Sequence, residues 1–177
     1  MQTITHLKIF DFDESLFRVP NFTCSEAKGM DPYDWFDSPD SLSDKFNIRG
    51  IENVHAAARR SDSLNYLVTH RPEECLDRIT KLLHDNSILM EDMYFLGRKQ
   101  QKAKVVEGLV LNNPNLRNMT IYEDTLSEVI KYVEHFTENP VGIKIDFVFI
   151  DKSKILRFNW TVASVIAFAP SERLILS

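Results

Sequence analysis

Two aspartates separated by one residue close the first apolar run of the chain, Asp11 and Asp13 in "LKIFDFDESLF". In an extended strand, residues two apart leave the same face. Carboxylates that close repel each other unless a metal ion or a shared proton lies between them, or the pair is an ordinary turn. Three more groups of chemically useful residues follow. Thr69 ends "LNYLVT" and is followed by His70 and Arg71; Lys102 and Lys104 open an apolar-periodic segment; Glu123 and Asp124 end "NMTIYED". Together they suit phosphoryl transfer. Asp11 can attack phosphorus and form an aspartyl-phosphate. Asp13 can give a proton to the leaving oxygen and then take one from the hydrolytic water. Mg²⁺ favours carboxylate oxygens, so Asp11 and Asp124 are candidate ligands, with Glu123 beside them. Thr69 and the amides of the following helix start can hold phosphate oxygens, and a lysine can pair with both Asp11 and the phosphate.

Each group also has an ordinary reading. The aspartates can end a strand, Thr69 can be a β-branched strand residue, and lysines in "RKQQKAK" can be a solvated face. Glu123 and Asp124 can complement a helix dipole. What raises the chemical reading is the arrangement, since all four groups fall at strand ends or helix starts. In open α/β sheets that edge is where ligands bind.

The elements that must position these groups are legible in the apolar patterning. Strands are expected at "ITHLKIFDFD", "LNYLVTH", "MEDMYFLG", "NMTIYED", "VGIKIDFVFID" and "ASVIAFAP". Helices are expected at "IENVHAAARRSD", "RPEECLDRITKLLHDN", "KQQKAKVVEGLVLNNP" and "LSEVIKYVEHFTEN". The alternation predicts a Rossmann-like three-layer α/β fold with a mainly parallel sheet flanked by helices. The stretch "ESLFRVPNFTCSEAKGMDPYDWFDSPDSLS" reads as a long irregular loop broken by Pro20, Gly29, Pro32 and Pro39 and pinned by Tyr33, Trp35 and Phe36. Residues 140–177 are expected to add strands to one domain spanning 1–177.

The 177 residues can bury a full core, and 44% hydrophobic with 27% charged residues is ordinary globular usage. A net charge of −5 argues against an extended non-specific nucleic-acid surface. Cys24 and Cys75 lack metal-ligand spacing and read as reduced thiols. No apolar run nears the roughly 20 residues of a membrane helix and no secretory signal is visible, so a cytoplasmic protein is expected.

At these residues the chain resembles the haloacid dehalogenase (HAD) superfamily. "IFDFDESLF" is similar to its motif I, "YLVTHR" to motif II, "KAKVVEGLV" to the helix of the motif III lysine and "MTIYEDTLSEV" to motif IV, a match spanning 4 to about 135. "FDFDESLFRVP", "DWFDSPDSL", "LVTHR" and "IYEDT" resemble most the branch called Swiss Army Knife RNA repair-like. The resemblance implies Asp11 as nucleophile and Asp13 as general acid/base. It implies Mg²⁺ held by Asp11, the Asp13 backbone carbonyl and Asp124, with Thr69 on the phosphate. Lys102 is the preferred motif lysine and Lys104 its rival. Ser15, His70 and Arg71 are candidate substrate contacts. Glu14 stands where Gly is common, Ser15 where Thr or Val is usual, His70 where Gly is frequent and Thr125 where Arg is found. The implied protein is a Mg²⁺-dependent phosphatase with a small or absent cap. Its implied substrate is a phosphorylated small molecule, such as a nucleotide, or a nucleic-acid end. The alternatives are a drifted binding or regulatory module, or a phosphotransferase.

Overall fold

The computed structural model describes residues 4–19, 31–151 and 155–159. β1 (His6–Phe10) is followed by a short strand β2 (Phe17–Arg18), helix α1 (Pro32–Asp37) and a 3₁₀ turn at Pro39–Leu42. Then come β3 (Arg49–Gly50), α2 (Glu52–Ala58), β4 (Leu64–Thr69), a 3₁₀ turn at Glu73–Cys75 and α3 (Leu76–Asp85). The rest is β5 (Asp92–Phe95), α4 (Lys102–Leu111), β6 (Asn118–Glu123), α5 (Leu126–Glu138), β7 (Lys144–Ile150) and β8 (Ile155–Asn159). The main sheet has the order β5-β4-β1-β6-β7-β8. β5, β4, β1, β6 and β7 are parallel, and β8 returns antiparallel to β7. This is the Rossmann-like α/β layering expected from the alternation.

Each sheet face is buried under a pair of helices. α4 and α5 cover one face through Val106, Leu109, Val129 and Phe136, which pack on Leu7, Ile9, Ile121 and Phe147. α2 and α3 cover the other through Val54, Ile79 and Leu83, which pack on Phe10, Leu67 and Tyr122. The connections leaving β1 and β6 therefore run over opposite faces although the two strands are neighbours. Their carboxyl ends form the topological switch point where α/β sheets bind ligands. "ASVIAFAP" lies outside the described residues.

The stretch read as an irregular loop carries local structure where it is described. Pro32 starts α1 because a missing N–H costs nothing in the first helical turn, and Asp31 caps that turn by accepting from the Tyr33 N–H. Trp35 is fully buried and anchors this segment in the core, whereas the Tyr33 ring stays largely exposed. β2 and β3 pair antiparallel as a separate two-stranded ribbon. The helix expected from Arg71 onward begins as a 3₁₀ turn, and its α-helical part starts only at Leu76.

Glu14 sits just past β1 with φ of 54°, in the left-handed region. That conformation costs a residue with a Cβ about 1–2 kcal/mol, and glycine escapes it. The carboxylate offsets part of the cost by accepting from Arg18 Nη1 at 2.7 Å and from the Val19 N–H at 3.1 Å. Glu14→Ala loses these bonds and keeps the strain, whereas Glu14→Gly loses the bonds and relieves it. Urea unfolding is expected to rank Glu14→Gly about 1 kcal/mol more stable than Glu14→Ala.

Candidate active site

β1 delivers Asp11 to the switch point, where its N–H still bonds the Tyr122 carbonyl of β6 at 3.1 Å. β6 ends in Glu123, with Asp124 next. Carboxylate oxygens of Asp11, Glu123 and Asp124 lie within 4.8 Å of one another. Lys102, the first residue of α4, reaches between them. Its Nζ donates to Asp11 Oδ1 at 2.7 Å and to Glu123 Oε2 at 2.8 Å. Lys102 is 3% exposed, whereas Lys104 points to solvent. The geometry therefore separates two lysines that sequence left as rivals.

Three carboxylates face one ammonium, and the titration behaviour follows. Burial, opposed by Lys102 and reinforced by Glu123 and Asp13, raises Asp11 to about 7. Burial and the charge of Asp11 raise Asp124 to about 6. Burial also raises Glu123. A cluster of oxygen donors with this excess of negative charge fits a hard cation, and Asp11, Glu123 and Asp124 can hold a metal ion.

The other residues singled out by sequence lie around this cluster. Ser15 is fully buried and its Oγ donates to Asp124 Oδ1 at 3.5 Å. Thr69 ends β4, beside β1, and its Oγ1 accepts from the Arg71 N–H at 3.2 Å. His70 makes other contacts than the Asp11–Glu123–Asp124 cluster: Nδ1 lies 2.8 Å from the Gly97 carbonyl, and Nε2 is 3.6 Å from the Glu128 carboxylate. The facing Glu128 carboxylate raises His70, and His70 in turn lowers Glu128 to about 2. Glu14 is likewise turned to Arg18. Arg71, weighed from sequence as a substrate contact or a surface arginine, is 3% exposed and grips Asp13 with Nε and Nη2. Asp13 itself is 28% exposed.

Sequence reasoning missed two residues that tie the segment after β2 to this edge. Ser41 accepts from Arg71, and Arg98 pairs with Asp37 at 2.5 Å while lying over the Tyr33 ring. Neither had a local signal, because each partner is distant in the chain. A cavity of about 600 Å³ lies between the start of α4 and α5, where His70, Arg98, Lys99, Lys102 and Lys131 are interleaved with Glu128, Glu134 and Glu138; Asp11, Asp13, Glu123 and Asp124 do not line it. Among the described residues, no helix is long and apolar enough to cross a membrane.

No family model matches the chain, and no curated protein sequence does. Among solved structures it is similar to a chain in the Pnkp1/Rnl/Hen1 RNA repair complex, with a TM-score of 0.50 and 11% identity over 85% of this chain and 44% of that one. A second structure of the Pnkp1/Rnl/Hen1 complex matches with a TM-score of 0.50 and 12% identity, over 85% of this chain and 47% of the other. The chain thus spans less than half the length of the chains it matches, and at such identity the likeness is one of fold.

Proposed function

We propose that the protein is a phosphomonoester hydrolase of the HAD type that works through an aspartyl-phosphate on Asp11. The observation that carries this reading is Lys102 bridging Asp11 and Glu123 at the switch point, with Asp124 in the same cluster. An Asp11 oxygen attacks phosphorus, and the P–O bond to the leaving group breaks. Asp13 protonates the departing oxygen and then takes a proton from the water that releases phosphate. Thr69 and the neighbouring amides hold phosphate oxygens, and Lys102 fixes the attacking carboxylate. Mg²⁺, held by Asp11, Asp124 and the Asp13 carbonyl with Glu123 nearby, supplies charge neutralisation when bound. Glu14 and His70 differ from the family pattern, but Glu14 is bonded to Arg18 and the Val19 N–H and His70 faces Glu128 and the Gly97 carbonyl, which favours an intact site over a drifted one.

The proposed substrate is a nucleotide or the terminal phosphate of a nucleic acid. The segment linking β2 to β3 is too small to be a large cap. The structural neighbours come from an RNA repair complex, which agrees in direction. The test is phosphate release from p-nitrophenyl phosphate, a nucleotide panel and 5′- and 3′-phosphorylated oligonucleotides, with Mg²⁺ or EDTA. Release from none of the nucleotides or oligonucleotides sinks the substrate class, and release from nothing sinks the phosphatase reading.

Metal binding should be linked to pH in a definite sense. Asp11 and Asp124 have folded values of about 7 and about 6, above the usual 3.8. The stability tied to their protonation is full below 3.8 and is lost as pH rises through about 6 and about 7. Mg²⁺ competes with those protons, so its stabilising effect grows over the same window. The Mg²⁺-induced rise in melting temperature is expected to be small near about pH 5 and large near about pH 8. A rise that does not depend on pH contradicts binding at these carboxylates.

A further inference from the structure

Arg71 has a geometry that neither a phosphate-binding nor a surface arginine requires. Its Nε donates to Asp13 Oδ2 at 2.9 Å and Oδ1 at 3.2 Å, and Nη2 donates to Oδ1 at 2.7 Å. Nη1 donates to the Phe36 carbonyl and, at 2.6 Å, to Ser41 Oγ. The guanidinium also lies over the Phe36 ring, 5.3 Å from its centroid. All but one of its N–H groups are thus committed to protein acceptors, and the side chain is nearly sealed from solvent. The fork–fork contact fixes the plane of the Asp13 carboxylate as a single point charge would not. Through Phe36 and Ser41 it also joins that plane to the segment between β2 and β3.

We infer that Arg71 is a positioning residue, which holds the Asp13 carboxylate in the orientation for proton transfer and makes that orientation depend on the Pro32–Leu42 segment through Phe36 and Ser41. This rests on the reading of Asp13 as the acid/base. When Asp13 gives its proton to the leaving oxygen as the P–O bond breaks, it becomes a carboxylate, and the guanidinium already faces that charge. No substrate contact by Arg71 is needed.

The role predicts a leaving-group effect that a phosphate-binding or purely structural arginine does not give. p-Nitrophenolate departs with little help from an acid, whereas an alkoxide needs the proton. We would measure kcat/KM, which reports formation of the aspartyl-phosphate, for p-nitrophenyl phosphate and a simple alkyl phosphate. The proteins would be the wild type, Arg71→Ala, Arg71→Lys, Ser41→Ala and Asp13→Asn, each checked for folding by its melting transition. Arg71→Ala is expected to lose about 100-fold or more on the alkyl phosphate and about 10-fold or less on the aryl one. Arg71→Lys and Ser41→Ala should show smaller losses with the same bias. In the Asp13→Asn background, Arg71→Ala should add little. Equal losses on both substrates in the folded variants, or a change in KM alone, overturn the role. So does full activity in Arg71→Lys, which keeps the charge without the fork. If Asp13→Asn itself shows no leaving-group bias, or the wild type turns over neither substrate, the reading of Asp13 fails and this inference falls with it. A bias in Asp13→Asn without one in the Arg71 variants overturns this inference alone.

Discussion

Asp11→Asn is expected to abolish Mg²⁺-dependent phosphate release, by at least about 10³-fold, in a protein that remains folded. The amide is close to isosteric but cannot supply the oxygen that takes phosphorus. Folding should survive because the change removes one of three clustered carboxylates and leaves Lys102 paired with Glu123 at 2.8 Å. Near neutral pH the substitution also removes a buried charge that its surroundings push towards protonation. The metal-free variant should therefore melt no lower than the wild type. Calorimetry and the release assay on one preparation check both halves. Retained turnover ends the nucleophile reading, and a collapsed fold makes Asp11 structural.

The largest loss of stability is expected at Lys102. Its ammonium is sealed between Asp11 and Glu123, and Lys102→Met leaves both carboxylates buried without a counter-ion. Removing one partner of a buried ion pair costs about 3–5 kcal/mol, because the remaining charge has neither water nor partner. The penalty should shrink at low pH, where the carboxylates accept protons, and also when Asp11→Asn is combined with it. A urea series at about pH 5 and about pH 8 for the single and double variants measures this. Lys104→Met, at a solvent-facing position of the same helix, should change stability by less than about 0.5 kcal/mol. Equal costs at the two lysines contradict the assignment.

The comparison of these two lysines also shows how far sequence patterning reaches. Strand ends were legible because apolar runs stop abruptly at Asp11, Thr69 and Glu123, and a parallel sheet brings such ends to one edge. The choice between Lys102 and Lys104 depended on where α4 begins. Two residues along a helix turn a side chain from the cluster to solvent, and element boundaries are the least certain part of a sequence reading. The segment from Pro32 to Leu42 is helical where an irregular loop is expected, for a related reason: Pro32 and Pro39 sit in first turns, where prolines start helices rather than break them. Arg71 was expected at the site, but its grip on Asp13 was not visible in the sequence. Its hold on Asp13 spans 58 residues of sequence and depends on tertiary contact that no local pattern encodes. β8 was not singled out because "ILRFN" is too short to display alternation.

Whether Asp11 carries the phosphoryl group is tested by direct capture. Asp13→Asn should slow hydrolysis of the intermediate while p-nitrophenyl phosphate, with its good leaving group, still forms it. We would mix that variant with p-nitrophenyl phosphate and Mg²⁺, quench with acid within the first turnover, and map phosphorylated peptides by mass spectrometry. A single acid-stable acyl phosphate is expected on the peptide bearing Asp11, lost when Asp11 is also changed to Asn. Phosphate release with no adduct at any time, or an adduct on another residue that survives Asp11→Asn, would contradict it.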